Sequence, residues 1–236
     1  MKGLIHYFFA NYFRTYKYVP PVSIFIIILV INYSYTPNPI MSSYSFTSLM
    51  LFFIMGWVVI TIFHMEDKNQ KEITIMHAKS IREYYLALVI NCIIVGLLFS
   101  ILAVAYPIIF NFFSPDLRIA HIVIGFFAHF SLSLLSIALS LFFTREFVKN
   151  DINTWWGVIS ILVISLVLAV ANIDILKIKL INWFLPPLRY SLDIMSIDDE
   201  VIHLSGQIYR EFGWVFIYSL ILISIYIAIV QKRRII

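Results

Sequence analysis

Two long stretches of this chain contain no charged side chain, and they restrict the folds open to it. One runs from Lys17 to Glu66 and the other from Glu83 to Asp116. A helix needs about 20 apolar residues to cross the hydrocarbon core of a bilayer, so each stretch is long enough for at least one crossing. Only 13% of the 236 residues are charged, against about 25% in a soluble domain. The chain is therefore predicted to be an all-α integral membrane protein.

Six apolar runs are predicted to be transmembrane helices. Pro37 and Pro39 mark the turn before the second run. The third begins at Ser80, and Glu83 follows at the spacing of a capping box, in which both side chains accept backbone amides. We treat residues 18–236 as one six-span domain, with spans at about 18–35, 46–63, 80–107, 119–143, 154–173 and 213–231.

Residues 1–17 differ from these runs because their apolar and polar side chains segregate to opposite halves of a helix, with Tyr7 as the one exception. This pattern predicts an interfacial amphipathic helix that lies along a membrane surface. The alternative is a first turn that simply leads into the first span. The apolar half consists of Leu4, Ile5, Phe8, Phe9, Tyr12, Phe13 and Tyr16.

The distribution of basic residues predicts the orientation of the chain. With the N-terminus inside, the inner segments hold 12 Lys and Arg residues and the outer segments hold 5, four of them between spans five and six. Cytoplasmic loops carry the excess of Lys and Arg, so both termini are predicted to be cytoplasmic. The same loops account for the net charge of +4, and no nucleic-acid partner is predicted.

Motifs for catalysis and for coupled transport are missing from the sequence. It has no phosphate-binding loop, no H-E-x-x-H and no G-x-S-x-G. No carboxylate lies in the middle of a predicted span, whereas ion-coupled transporters use such groups. No metal site is predicted, and His64, His77 and His203 are interpreted as solvated or interfacial side chains. We therefore predict no catalytic residues and no enzyme.

One face of the fourth span carries small and weakly polar residues at helical spacing. Such residues let helices approach closely in a membrane, which favours helix packing. The functional alternative is a wall of a substrate path. The face consists of Gly125, His129, Ser133, Ser136 and Ser140.

A second feature is the charged stretch between spans two and three, which is predicted to form a short helix ending near His77–Lys79. Apolar residues in such a setting suit insertion into a groove of a cytoplasmic partner. Ile75 and Met76 are predicted to be the anchors, and Lys68 and Lys71 to be exposed. The alternative is a solvated loop. The predicted coupling residues are Glu72, Ile73, Thr74, Ile75, Met76, His77, Ala78 and Lys79.

This layout resembles the membrane subunits of bacterial ABC exporters of the type V class, also called ABC type-2 permeases. Those proteins have an N-terminal interfacial helix and six spans. The run from Lys71 to Tyr85 is similar to the coupling helix of the family and its entry into span three. Pro186-Pro187 is similar to the proline-bearing part of its outer segment, which partly re-enters the membrane between spans five and six. A departure is that 174–212 contains no cysteine, unlike the disulfide-bonded loops of eukaryotic sterol or drug pumps.

The resemblance implies a permease in a bacterial plasma membrane, paired with itself or with a similar permease. It implies a cytoplasmic ATP-binding cassette subunit that supplies ATP and Mg²⁺, with no cofactor in this chain, and contact with membrane lipid. The expected cargo is an amphipathic peptide such as a bacteriocin or toxin, either exported or expelled to confer resistance. Two alternatives remain: a non-transporting immunity or scaffold protein, and an intramembrane enzyme that uses His129 with the nearby serines.

Overall fold

A computed structural model describes residues 1–113, 117–170, 185–196, 199 and 206–233. Within these ranges the secondary structure is helical. Five helices are long and apolar enough to cross a membrane, and the number rises to six if the bent pair formed by the first two helices counts as one span. The helices are α1 (Lys2–Arg14), α2 (Val19–Asn32), α3 (Ile40–Phe63), α4 (Lys68–His77), α5 (Ile81–Ile109), α6 (Ile119–Ser140), α7 (Asp151–Val170), α8 (Leu188–Met195) and α9 (Gly206–Arg233).

The first predicted span is shorter in the structure than in the prediction of 18–35. Helix α2 has 14 residues, a length of about 21 Å at 1.5 Å per residue, which is less than the roughly 30 Å of a hydrocarbon core. It meets α1 at an angle of 76°. Pro20 and Pro21 lie in the first turn of α2, where proline is tolerated.

The second span begins earlier than the predicted residue 46. Helix α3 starts at Ile40, and the carboxylate of Asp199 accepts hydrogen bonds from the amides of Ile40 and Met41 at 3.0 and 2.7 Å. Residues 42–45 precede the predicted span, but Ser43 and Tyr44 are buried inside the bundle. Tertiary burial therefore extends a helix whose sequence is too polar to predict it there.

The remaining spans agree with the prediction within a few residues at most ends. A short 3₁₀ turn, Leu141–Phe143, extends α6, and α9 begins at Gly206 rather than near residue 213. The predicted turn at 114–116 and the end of the fifth span at 171–173 lie outside the described residues.

The centre of the bundle is the packing of α3 against α6, with α5 alongside. Of the most apolar window of α6, 72% is buried inside the chain, compared with 33% for α9 and 22% for α7. Helices α7 and α9 are therefore peripheral and present much of their apolar surface outward. Such surface is stable where lipid or another protein covers it.

Helix α8 lies within the 174–212 segment that is predicted to re-enter the membrane in part. It is short, and its apolar face packs against α3, α6, α7 and α9. Ile194 and Met195 join a core cluster that includes Tyr44 and Phe212. This part of the segment thus lies against the helical bundle, while most of the rest lies outside the described residues.

The N-terminal helix packs on the chain itself. Phe8 and Tyr12 are buried, and the Phe8 ring meets the Tyr84 ring edge-on at 5.2 Å. Phe13 and Tyr16 of the same apolar half are exposed. Part of the face that was predicted to contact lipid therefore contacts α5, because burial against a neighbouring helix removes the same apolar area.

Candidate functional site at the polar end of the bundle

Many polar and charged side chains cluster around residues 64–80 and 144–150. We call this end of the bundle the polar end. Helix α4 is defined at both of its ends there. The Asp67 carboxylate accepts the Gln70 amide at 2.7 Å, an N-cap. The chain turns extended at Ala78, and the Ser80 hydroxyl accepts the Glu83 amide at 3.1 Å to begin α5.

The predicted capping box at Ser80 is correct in one half only. Glu83 accepts the amide of Lys79 at 3.2 Å, one residue before the expected amide of Ser80, and it also pairs with the amino group of Met1. The N-terminus of α1 is thereby joined to the start of α5.

The carboxylate of Glu66 joins three helices. It is 5% exposed and accepts hydrogen bonds from three hydroxyls: Tyr7 at 2.9 Å, Thr74 at 2.8 Å and Tyr84 at 2.7 Å. These donors belong to α1, α4 and α5. Buried carboxylates are tolerated where hydrogen bonds satisfy them, so this network fixes α4 against the bundle.

A second attachment of α4 is Lys71, whose ammonium pairs with Glu146 and lies 5.5 Å from the centroid of the Tyr85 ring. The side chains of Lys71 and Glu146 are 18% and 14% exposed. The prediction that Lys71 is an exposed charge is therefore wrong, because the 144–150 link covers it. Lys68, the first residue of α4, is exposed.

The outer face of α4 carries two exposed apolar side chains. Ile73 is 53% exposed and Met76 is 75% exposed, whereas Ile75 packs against the main core. Of the predicted anchor pair, Ile75 and Met76, only Met76 is exposed, and the exposed apolar pair on α4 is Ile73 and Met76. Ile73 lines a cavity of about 430 Å³ between α1 and α4, together with Leu4, Tyr7, Thr74 and His77, among others.

His64 is buried, whereas the sequence predicted a solvated or interfacial side chain. Its Nε2 accepts the backbone amide of Arg145 at 3.3 Å, and its carbonyl accepts the Lys17 ammonium at 2.7 Å. Burial, together with the nearby charge of Arg145, lowers the pKa of His64 to about 4. The ring is therefore neutral at pH 7. His77 is exposed, and His203 lies outside the described residues.

All five residues of the predicted α6 face lie in its contacts with α3 and α5. A Cβ on Gly125 would lie 2.7 Å from the Tyr44 ring, and Gly96 of α5 approaches the Ser133 side chain. The Ser136 hydroxyl donates to the Phe52 carbonyl at 2.5 Å. Ser140 lies beside Gly56 of α3. Small residues here allow close helix approach.

The ring of His129 makes hydrogen bonds through both of its nitrogens. Nδ1 contacts the Gly125 carbonyl at 2.6 Å, and Nε2 contacts the Thr47 hydroxyl at 2.9 Å. The Ser133 hydroxyl donates to the His129 carbonyl rather than to the ring. The arrangement has the form of a buried hydrogen-bond network between α6 and α3, and the hydroxyls of Ser133 and Ser136 both donate to backbone carbonyls rather than to the His129 ring.

The described residues contain no group of three or more His, Cys, Asp or Glu side chains that could hold a metal ion. Sequence reasoning missed Glu66 and Glu146 as structural centres. A signal for Glu66 was present, since Tyr7, the one exception to the segregation of α1, is the residue that reaches it.

Comparison with known proteins does not assign the chain to a family. No family model, curated protein or solved structure matches it. The fold itself defines the class: a multi-pass helical membrane protein whose described residues include five helices, or six elements with the bent pair, that are long and apolar enough to cross a membrane.

Proposed function

We propose that this chain is the permease subunit of a bacterial ABC exporter, with six spans and both termini in the cytoplasm. It forms a dimeric pathway, with a second copy or a similar permease, for an amphipathic peptide such as a bacteriocin or toxin, which is exported or expelled. A separate cytoplasmic ATP-binding cassette subunit binds ATP and Mg²⁺. The polar end is the cytoplasmic end in this proposal, in agreement with the 12-to-5 distribution of Lys and Arg.

The observation that carries the proposal is the construction of α4. It is a short helix between two spans, attached through Glu66 and Lys71 to the bundle, and it presents Ile73 and Met76 outward. An element that is fixed on one side and apolar on the other can bind a partner and transmit its movement to the attached spans. Buried apolar anchors dominate the energy of such interfaces.

The attachments of α4 specify which spans would receive that movement. Glu66 links α4 to α1 and to α5 through Tyr7 and Tyr84, and Glu146 links it to the segment between α6 and α7. A force on α4 would therefore reach α1, α5 and the 144–150 link together. This supports a coupling role more than it supports a solvated loop, which needs no such attachment.

The test is co-purification with an ATP-binding cassette subunit encoded beside this chain. Ile73→Asp with Met76→Asp should abolish capture of that subunit and transport, because unpaired charges buried at an interface cost several kcal/mol. The matched control is Lys68→Asn with Asn69→Asp, which changes the net charge equally at exposed positions of α4 outside the predicted coupling residues. Membrane abundance and monodispersity should remain normal for both.

If the Ile73/Met76 variant retains its cassette subunit and its transport, α4 is not the coupling element. If no cassette subunit co-purifies with the unmodified chain, the exporter proposal itself fails.

A further inference from the structure

A second polar site lies at the same end of the bundle, apart from α4, between the start of α2, the end of α3 and the start of α7. It is a cavity of about 320 Å³. Its lining combines charged side chains with aromatic ones: Lys17, His64, Arg145, Asp151, Trp57 and Trp155.

The charges in this cavity favour an anion. Arg145 donates from Nε and Nη2 to the two carboxylate oxygens of Asp151 at 2.7 and 2.8 Å, so one cation is offset by one anion. Lys17 donates to the carbonyl of His64, a neutral group. Two cations therefore face one carboxylate.

The ring of His64 adds a neutral donor to the lining. Its Nε2 accepts the amide of Arg145, so the proton of the neutral ring lies on Nδ1. The Asp151 oxygen nearest to Nδ1 is 3.9 Å away, which is longer than a hydrogen bond. Nδ1–H is thus available to an acceptor in the cavity.

The cavity continues into an apolar groove between α3 and α7. Trp57 and Trp155 meet edge-on at 6.0 Å and, with Ile60, line both the polar cavity and a second one of about 210 Å³. The second cavity is otherwise lined by aliphatic and aromatic side chains, among them Ile159 and Leu162.

The order of these groups matches one leaflet of a bilayer. Charges lie at the ends of the spans, tryptophans come next, and aliphatic side chains follow. Tryptophan concentrates at the level of the lipid headgroups. From Asp151 to Leu162 a helix advances about 16 Å, roughly half of a 30 Å hydrocarbon core.

We propose that this cavity and groove bind one anionic phospholipid, with its phosphate at Lys17, Arg145 and His64 and an acyl chain between α3 and α7. A basic pocket between spans is the usual form of a site for an acidic headgroup. A free anion would use the polar cavity alone, whereas a phospholipid also fills the apolar groove that continues from it. The proposal is independent of the exporter function.

The test is native mass spectrometry of the purified full chain with phosphatidylglycerol or phosphatidylcholine of the same acyl chains. The chain should retain phosphatidylglycerol about fivefold more, since the cavity carries one net positive charge and a Lys or Arg near a lipid surface contributes about fivefold to anionic lipid binding. Lys17→Gln with Arg145→Gln should remove the preference, and Arg145→Lys should keep it. The control, Lys68→Gln with Arg189→Gln, removes equal charge elsewhere and should also keep it.

The groove is tested separately by Ile159→Trp, which should reduce phosphatidylglycerol retention by obstructing the acyl chain while the charges stay. Millimolar glycerol phosphate should not displace the lipid. Retention of the preference by the Lys17/Arg145 variant would overturn the proposal. So would displacement by glycerol phosphate, or unchanged retention in Ile159→Trp, because either would indicate a plain anion site.

Discussion

At the scale of single residues, the polar end is held by buried groups whose partners come from distant parts of the chain. Glu66 is the clearest example, because its three hydroxyl donors lie on three different helices. Removing one partner from such a network leaves others unsatisfied, and that cost exceeds the value of an average hydrogen bond.

Glu66→Gln should therefore destabilise the protein by about 1–3 kcal/mol. The amide would place donors against hydroxyls that are already donors, and the charge that strengthens the three bonds would be lost. The measurement is thermal unfolding of the purified protein in detergent. Glu72→Gln, at an exposed position of α4, is the control and should leave the transition unchanged. Equal effects of both would show that the Glu66 network is not stabilising.

His64 should make stability depend on pH. Its folded pKa of about 4 is below the unfolded value of about 6.5, so between these pH values the unfolded state binds the extra proton. Stability should fall as pH decreases from about 6.5 to 4, with a contribution of at most about 1.4 kcal/mol per pH unit. The comparison is the pH dependence of unfolding in the unmodified chain, His64→Gln and the exposed-site control His77→Gln. The contribution should be lost only in His64→Gln; its persistence there would assign it to other groups.

At the scale of elements, close contact between α3 and α6 depends on residues without bulk. Gly125 lies against the Tyr44 ring, which is itself buried, hydrogen-bonded to the Val104 carbonyl and edge-on to His129. The ring has little freedom to move aside. The glycine is thus set by the neighbouring helix rather than by the backbone conformation of α6.

Gly125→Ala should destabilise the protein although alanine is the better helix former by about 1 kcal/mol. The added methyl would lie 2.7 Å from the Tyr44 ring, and overpacking of this kind costs about 1–3 kcal/mol. Gly213→Ala in α9 is the matched control, since its Cβ meets nothing within 4 Å, and it should be neutral or slightly stabilising. Thermal unfolding of both proteins is the measurement. A stable Gly125→Ala would mean that the two helices can separate at no cost.

At the scale of the whole molecule, successive spans run in alternating directions. Residues 17–19, 63–80 and 144–151 therefore lie at one end of the bundle. Residue 199 lies at the other end, with the starts of α3 and α6. Contacts such as Lys17 with His64 and Asp199 with Ile40 record this arrangement. The proposed orientation places the first end in the cytoplasm.

Single cysteines test that orientation. Tyr35→Cys and Ser196→Cys should react with an impermeant thiol reagent on whole cells, whereas Asn69→Cys and Lys149→Cys should react only after permeabilisation. All four positions are exposed, and the native Cys92 is buried. Ser43, near the start of α3, is unsuitable as a labelling position because it is buried. Labelling of Asn69→Cys on intact cells would reverse the orientation.

The sequence by itself determined the helical membrane class, the approximate spans and the existence of α4. The physical reason is that a bilayer imposes long apolar runs, and caps such as Ser80 are local signals. It predicted the start of α3 poorly, because buried polar residues such as Ser43 resemble a loop until their neighbours are known.

Only the tertiary structure decided which face of α4 is free and which groups are buried. Ile73 and Ile75 are equivalent in composition, yet one is exposed and the other packs against the core. Lys71 and His64 look like solvated groups until the 144–150 link covers them. Burial depends on contacts between residues far apart in the chain, and local patterns, the exception of Tyr7 in α1 aside, do not specify those contacts.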